Sequence, residues 1–225
     1  MSYNLLPCKM IPIPLRPSSS NTIPLKPIGI SSNTISSTAS NSCTNASHNT
    51  LINMYKEEIL TDCVFKVGNE KLNAHRCVLA SNSLVFRRMF EQKDTLEAKN
   101  GEINIVDSSP KCVRALLDYF YNGEINKEIL EKLVFELFVV AHKYEVKSLM
   151  VICEHMMVMK IDPKNFATCV DYSQLYNLPL LEKACIKYIA SNRKTFLDSN
   201  EWKNLKELYK DRAFTLLEET LKNEF

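Results

Sequence analysis

The stretch from Leu60 to Phe90 begins with alternating apolar and polar residues. Its apolar residues fall on every second position, the period of a half-buried strand: Cys63, Phe65 and Val67. Gly68-Asn69 follows and suits a two-residue type II′ hairpin turn, which needs glycine in its first place. The inward face resumes at Leu72 and Ala74. The pattern therefore predicts a β-hairpin with one buried face.

Beyond the hairpin, the apolar period changes from that of a strand to that of a helix. A first short helix contains Cys77-Val78-Leu79, and a second runs from Leu84 to Phe90. Ser83 stands between them and suits the N-cap of the second helix, where its hydroxyl accepts a backbone N–H. No residue along this stretch is typical of a catalytic group, so the pattern favours a packing unit.

The middle of the chain predicts one more strand and a capped helix. The segment Glu91 to Gly101 is a polar connection, and Glu102 to Val106 alternates as an isolated strand. Ser109-Pro110 combines a cap residue with proline at the first helical position. Gly123 suits the end of this helix because glycine readily adopts the left-handed conformation of a helix C-terminus.

Helical periods dominate the remaining residues. Two longer amphipathic helices are predicted at Ile129 to Tyr144 and Val146 to Met159. Asp162-Pro163 predicts another helix start, and Asn177-Leu178-Pro179 a break before the next helix. Apolar residues at helical spacing then predict one or two terminal helices: Trp202, Leu205, Leu208, Tyr209, Phe214, Leu216, Leu217 and Leu221. Helices around a small sheet indicate the α+β class.

The first fifty residues differ in composition from the rest. They hold six of the 9 prolines, are dense in Ser, Asn and Thr, and contain no Asp or Glu. Such a segment buries too little apolar surface to offset its ordering entropy, so we predict a disordered tail at residues 1–50. Pro12, Pro14 and Pro17 around Arg16 leave two readings open, a polyproline ligand for a partner domain or an unstructured tail.

Charge, hydropathy and cysteine usage exclude several classes of protein. The net charge of +2 gives no argument for nucleic-acid binding. No apolar run approaches the ~20 residues that cross a bilayer, and the N-terminus lacks the pattern of a signal peptide. The 8 cysteines stand singly and mostly on predicted core faces. We therefore expect reduced thiols and a nuclear or cytoplasmic protein without membrane association.

The sequence contains no enzyme signature. Four glycines in the whole chain do not form a phosphate loop, and neither G-x-S-x-G nor H-E-x-x-H occurs. The four histidines are widely spaced, and none has a Cys or carboxylate at metal-ligand spacing. We therefore predict no catalytic residue, cofactor or metal, and a protein that is not an enzyme.

A set of separated motifs resembles one family. Thr61 to Phe90 reads T-D-C-x-F-x-V-x(6)-A-H-R-C-V-L-A-x-x-S-x-V-F-x-x-M-F and is similar to the opening of a BTB/POZ domain. The end of the helix that closes at Gly123 resembles the family's F-x-Y-T-G, and Ala141 to Leu149 its A-x-K-Y-x-x-x-x-L. The resemblance implies a BTB/POZ fold at residues 51–160. Residues 161–225 resemble the helical 3-box or BACK-like extension of the speckle-type POZ group.

The resemblance implies a dimer. In that family an N-terminal helix, here Leu51 to Leu60, contributes to a two-fold interface, and a charged pocket lies beside it. The implied interface residues are Leu51, Met54, Tyr55, Ile59, Asp62 and Arg76. The alternative is a helix that folds back on its own domain. Asp62 and Arg76 lie among apolar neighbours and are expected to compensate each other's charge or that of a partner chain.

The resemblance also implies a cullin-3 RING ubiquitin ligase as partner. The corresponding surface here comprises Phe90, Thr95, Leu96, Glu97, Tyr119, Tyr121 and Asn122. The family often carries a hydrophobic-x-Glu motif in this loop, whereas this sequence has Thr95 in the hydrophobic place or Leu96 displaced by one. The alternatives are that these residues are merely loop and core, and that the protein is a scaffold or transcription-related dimer that does not bind cullin.

Speckle-type adaptors carry a substrate-binding MATH domain before the BTB domain, where this chain has its polar tail. We therefore expect an adaptor or modulator of a cullin-3 ligase that reaches an unknown substrate in one of three ways. These are its tail, its C-terminal helices, or a related BTB subunit in a heterodimer.

Overall fold

The computed structural model describes residues 50–222, so the predicted disorder of residues 1–49 lies outside the described part. Within this part the secondary structure follows the order of the prediction. Helix α1 covers residues 50–56. It ends earlier than the helix predicted at Leu51 to Leu60, because residues 57–60 form a turn in which Glu58 and Leu60 have φ angles of 52° and 56°.

The described residues form one three-stranded sheet. Strand β1 (Cys63–Val67) pairs antiparallel with β2 (Glu70–Ala74) and parallel with β3 (Glu102–Ile105), giving the order β2-β1-β3. The pairing of Val67 with Glu70 leaves the predicted two-residue loop, and Gly68 has the positive φ, 58°, that its first place requires. The predicted inward residues of the hairpin are all buried: Cys63, Phe65, Val67, Leu72 and Ala74.

Two short helices connect β2 to the rest of the domain. Helix α2 is Arg76–Asn82 and α3 is Leu84–Glu91. Ser83 is the N-cap of α3 as predicted, because its Oγ accepts the Phe86 N–H at 3.1 Å. The same buried hydroxyl donates to the Tyr144 carbonyl at 2.6 Å and ties α3 to a later helix. A third helix, α4 (Leu96–Asn100), lies within the segment that the sequence predicts as a polar connection.

The domain is completed by α5 (Pro110–Asn122), α6 (Lys127–Lys143) and α7 (Lys147–Met159). Ser109 and Gly123 cap α5 at its two ends as predicted. The core centres on Phe86, which is fully buried, stacks on Tyr144 at 4.3 Å and meets the edge of Phe65 at 5.7 Å. Burying one such ring stabilises a fold by about 1.5–3 kcal/mol. The small sheet with helices around it confirms the predicted α+β class.

Four further helices follow: α8 (Phe166–Leu175), α9 (Pro179–Phe196), α10 (Asn200–Leu208) and α11 (Lys210–Lys222). The prediction that Asp162-Pro163 starts a helix is wrong by three residues, since the backbone N–H groups of Asp162 and Asn165 donate to each other's side chains in a turn and α8 begins at Phe166. Helix α9 kinks at Asn192. Trp202 is buried beside Phe196, with ring centroids 5.8 Å apart. The domain boundaries at residues 50 and 160 stay predictions.

Candidate functional site

Helix α1 packs on its own domain through one aromatic pair. The rings of Tyr55 and Tyr121 are stacked, with centroids 4.2 Å apart and planes 7° apart. Tyr55 is half-buried in this contact, and burial raises its pKa to about 12, with the nearby Asp118 carboxylate contributing. Met54 is also half-buried. The alternative of a helix folded back on its own domain therefore describes this face of α1.

Leu51, at the start of α1, and the turn after the helix leave apolar side chains exposed. Leu51 is 45% exposed, Ile59 42% and Leu60 83%. Leu60 also has a φ of 56°, a conformation that costs a leucine about 1–3 kcal/mol and persists only where surrounding contacts hold it.

His75 provides those contacts. Its Nε2 lies 2.7 Å from the Ile59 carbonyl oxygen, and its Nδ1 lies 2.6 Å from the Tyr121 hydroxyl. Because a carbonyl only accepts, Nε2 carries a proton and donates to Ile59. In the neutral ring Nδ1 then accepts the Tyr121 O–H, and the Tyr121 oxygen accepts the His75 backbone N–H at 2.9 Å. The ring nitrogens and backbone N–H of His75 and the hydroxyl of Tyr121 therefore all have hydrogen-bond partners.

Tyr121 is therefore not a contact surface. It is 2% exposed, and burial raises its pKa above the usual range. The sequence assignment of Tyr121 to the cullin surface is corrected, because its ring and its hydroxyl both serve to hold α1 and the following turn. It lies four residues after the buried Leu117, on the same face of α5, and this spacing was the available signal.

Asp62 and Arg76 contact each other differently from the prediction. Asp62 is exposed, and its Oδ1 accepts the Arg76 backbone N–H at 2.7 Å, so the carboxylate caps the start of α2. The Arg76 guanidinium donates to two backbone carbonyls, to Asp62 at 3.1 Å and to Ala98 at 2.8 Å. It also lies over the Phe90 ring, 5.4 Å from the centroid. The expectation that the two side chains compensate each other's charge is corrected, because both are engaged with backbone groups. Compensation by a partner chain stays a prediction.

Helix α4 carries the central residues of the predicted cullin surface. Leu96 is 66% exposed, while Glu97 is half-buried beside it. Thr95 is the N-cap of α4, since its Oγ1 accepts the Ala98 N–H at 3.2 Å and donates to the Gln92 carbonyl at 3.0 Å. Thr95, which stands in the family's hydrophobic place, thus uses its side chain to cap α4. Leu96 is the apolar side chain that α4 exposes.

The remaining predicted residues are half-buried: Phe90 on α3, and Tyr119 and Asn122 at the end of α5. The Tyr119 hydroxyl lies 2.8 Å from the hydroxyl of Ser148 on α7, a contact that no local sequence pattern indicates. Asn122 is the last residue of α5. Phe90 connects to this helix through the core, because Phe86 stacks on Phe90 at 6.4 Å and meets the edge of Phe120 at 6.3 Å.

The structure therefore regroups the two predicted sets. Tyr121 of the cullin set packs on Tyr55 of the dimer set, and Phe90 of the cullin set packs on Arg76 of the dimer set. Of the residues in the two predicted sets, the exposed apolar ones are Leu51, Ile59 and Leu96, and Leu60 next to Ile59 is exposed as well.

Groups with potential for other chemistry are buried or dispersed. Among the described cysteines only Cys77 is exposed, and burial raises the pKa of the thiols of Cys63, Cys112, Cys153 and Cys169 to about 12. These four thiols stay protonated at neutral pH and act as small apolar groups. Residues 50–222 contain no cluster of metal-binding side chains, and no helix among them has the length and hydropathy of a membrane span.

Comparison with known proteins gives one family. The family model of the BTB/POZ domain matches residues 51–161. BTB and MATH domain-containing protein 42 of Caenorhabditis elegans is 34% identical over 168 residues, which cover 75% of this chain and 41% of that protein. TD and POZ domain-containing protein 5 of Mus musculus is 26% identical over 157 residues, covering 69% of this chain and 46% of that protein.

The chain thus spans less than half the length of both relatives. Among solved structures, the BTB domain of zebrafish PATZ1 is similar over 54% of this chain and 96% of that domain, at 26% identity and a TM-score of 0.44.

Proposed function

Because residues 51–161 make this chain a member of the BTB/POZ family, we propose that it acts as a dimerising adaptor or modulator of a cullin-3 RING ubiquitin ligase. BTB/POZ domains are protein-interaction and dimerisation modules that pair with themselves or with related BTB proteins. The finer assignment to a ligase rests on the exposed groups of this chain.

The dimer is supported by three exposed apolar residues of α1 and the turn after it. These residues are Leu51, Ile59 and Leu60, called here the α1 face, and Leu60 is 83% exposed. The hydrogen bond from His75 to the Ile59 carbonyl holds the backbone of the turn that carries Ile59 and Leu60 without a partner. Apolar groups fixed on a surface lose little entropy on binding, which favours a tight interface. The interface proposed here therefore contains Leu51, Ile59 and Leu60, with Met54 and Tyr55 as its support.

Cullin binding is supported by α4, and Leu96 is the single observation that carries it. The helix has five residues and buries none of them, yet it is capped by Thr95 at one end and by Gly101 at the other. An ordered helix without a core role, with a leucine 66% exposed, is suited to insert that leucine into a partner. Phe90, Glu97, Tyr119 and Asn122 are the proposed surroundings of this contact.

The competing function is a BTB scaffold that does not bind cullin. The sequence Leu96-Glu97 lacks the intervening residue of a hydrophobic-x-Glu motif, and Thr95 is engaged as a cap. This observation favours the scaffold, since the family's contact then has no direct counterpart. The presence of α4 with its exposed leucine favours the adaptor, and we retain it as the main proposal.

We also propose how a substrate is reached. The Caenorhabditis elegans relative has a MATH domain in its name, and this chain covers 41% of that protein. A subunit that pairs through the α1 face with a MATH-containing BTB protein obtains a substrate-binding domain from its partner. Such a heterodimer acts in the nucleus or the cytoplasm, where free thiols persist.

Calorimetric titration of the 225-residue chain with the N-terminal region of cullin-3 tests the adaptor. Wild-type protein is expected to bind, and Leu96→Asp to weaken binding by at least about tenfold, since an interface anchor is worth more than about 1 kcal/mol. Leu175→Asp is the matched control, because Leu175 is also exposed, 74%, at the end of α8. Absence of binding by the folded wild-type chain would decide for the scaffold.

A further inference from the structure

Helix α4 is held in place by very few contacts. It has five residues, none of them buried, and a helix of this length has no stability of its own in water. Its N-terminus is fixed by Thr95, whose Oγ1 also lies 3.2 Å from the Met89 carbonyl of α3. Its C-terminus ends at Gly101, which has a φ of 70°. A further contact along the helix is therefore needed to fix the direction of α4, and with it the direction in which Leu96 is presented.

Arg76 supplies that contact. Its Nη1 donates to the Ala98 carbonyl at 2.8 Å, while its Nε donates to the Asp62 carbonyl at 3.1 Å. One guanidinium thus joins α4 to the segment before β1, and the Phe90 ring lies below it at 5.4 Å. Hydrogen bonds from a charged donor are about twice as strong as neutral ones.

The backbone at Gly101 lies directly against the Arg76 guanidinium. A Cβ at this position would lie 2.8 Å from Arg76 Nη2 and 2.5 Å from the Asp62 carbonyl oxygen. The backbone therefore passes so close to the guanidinium that only glycine fits, and the positive φ requires glycine for a second reason. The Gly101 carbonyl also accepts the Val64 N–H at 2.8 Å, which continues the connection into the sheet.

We propose that Arg76 is a positioning residue for α4, which holds Leu96 in the orientation that its partner binds. This role differs from the dimer contact that the sequence predicts, since the guanidinium is directed at groups of its own chain. The proposal rests on the proposed function for the identity of the partner, but the ordering of α4 does not depend on it.

Hydrogen exchange of the α4 amides tests the ordering directly. The amides of Ala98, Lys99 and Gly101 are hydrogen-bonded within this helix and its caps. In Arg76→Met they are expected to exchange at least about tenfold faster, because a hydrogen bond from a charged group is lost. The main-chain N–H of residue 76 still donates to Asp62, so α2 starts as in the wild type.

Two further variants complete the experiment. Arg114→Met is the matched control, since Arg114 pairs with Glu70 on the surface at 2.9 Å and its loss is expected to leave α4 exchange unchanged. Arg76→Lys keeps the positive charge and a hydrogen-bond donor, so it is expected to retain part of the protection of the α4 amides against exchange. This variant replaces Arg76→Met in the test if Arg76→Met does not fold. Arg76→Met is expected to bind the cullin-3 N-terminal region at least about tenfold more weakly while remaining dimeric.

The outcomes separate the two proposals. Unchanged α4 exchange in Arg76→Met, or in Arg76→Lys if only that variant folds, overturns the positioning role, whatever the cullin titration shows. Dissociation of the dimer with unchanged α4 exchange returns Arg76 to the dimer interface. Faster α4 exchange in a chain whose wild type does not bind cullin supports the positioning role and removes the ligase adaptor.

Discussion

The stacked rings of Tyr55 and Tyr121, 4.2 Å apart, join the N-terminal helix to the C-terminal end of α5. The Tyr121 hydroxyl extends this contact to His75, and His75 extends it to the turn at Ile59. The position of the proposed dimer face therefore depends on a buried hydrogen-bonded group that takes no part in the interface itself.

Removing that hydroxyl is expected to destabilise the domain. Tyr121→Phe keeps the ring stack but leaves the His75 backbone N–H and Nδ1 without their partner, a loss of about 1–3 kcal/mol in the free energy of unfolding. Urea denaturation measures it. Tyr119→Phe is the matched control, since its hydroxyl meets an exposed Ser148, and its cost is expected within about 0.5 kcal/mol. Equal costs at both positions would contradict the structure.

The raised pKa of Asp118 predicts that the stability of the domain depends on pH. Burial raises the pKa of its carboxyl above the ordinary value of 3.8, partly offset by Arg114 and Lys56. A carboxyl whose pKa is higher in the folded than in the unfolded state stabilises the fold while it is protonated. This contribution is complete below pH 3.8 and is lost as the pH rises through the folded-state pKa. Asp118→Asn removes the buried charge, so it is expected to raise the free energy of unfolding at pH 7.

The gain from Asp118→Asn is expected to vanish below pH 3.8, where the wild-type side chain is also neutral. Denaturation curves of both proteins across this range measure the difference. Asp94→Asn, at an exposed position in the segment before α4, controls for the change in net charge. A lower stability of Asp118→Asn at pH 7 would show that Asp118 acts as an ion-pair partner of Arg114 or Lys56.

If the α1 face forms the dimer interface, introducing one charged side chain there is expected to weaken the dimer. Leu51→Glu places a carboxylate in the proposed interface and is expected to raise the dissociation constant of the homodimer by at least about tenfold. Sedimentation equilibrium measures the constant. Leu175→Glu, the same change at an exposed leucine of α8, is expected to leave it unchanged. If both variants remain as tight as the wild type, the dimer face lies elsewhere.

Features set by neighbouring residues were predicted from the sequence. The hairpin at Gly68, the cap at Ser83 and the α5 boundaries at Ser109 and Gly123 each depend on a few consecutive positions, and the structure confirms them. Helix α4 was missed because a helix without a buried residue has no apolar period.

The site was harder to predict because its contacts are distant in sequence. His75 lies 46 residues before Tyr121, so no local pattern shows that Tyr121 faces inward onto a histidine. Periodicity places Tyr121 on the buried side of α5, but the resemblance to the family places it on a binding surface, and the structure favours the periodicity. Arg76 likewise reaches Ala98 across 22 residues, so its role depends on the folded chain.

Light scattering during gel filtration of the 225-residue chain, alone and mixed with the N-terminal region of cullin-3, measures the dimer and the ligase contact together. We expect a dimer of the chain alone and, with the fragment at micromolar concentration, a complex of two BTB chains with two cullin fragments. A chain that elutes as a monomer and leaves the cullin fragment unbound would contradict both the dimer and the ligase adaptor.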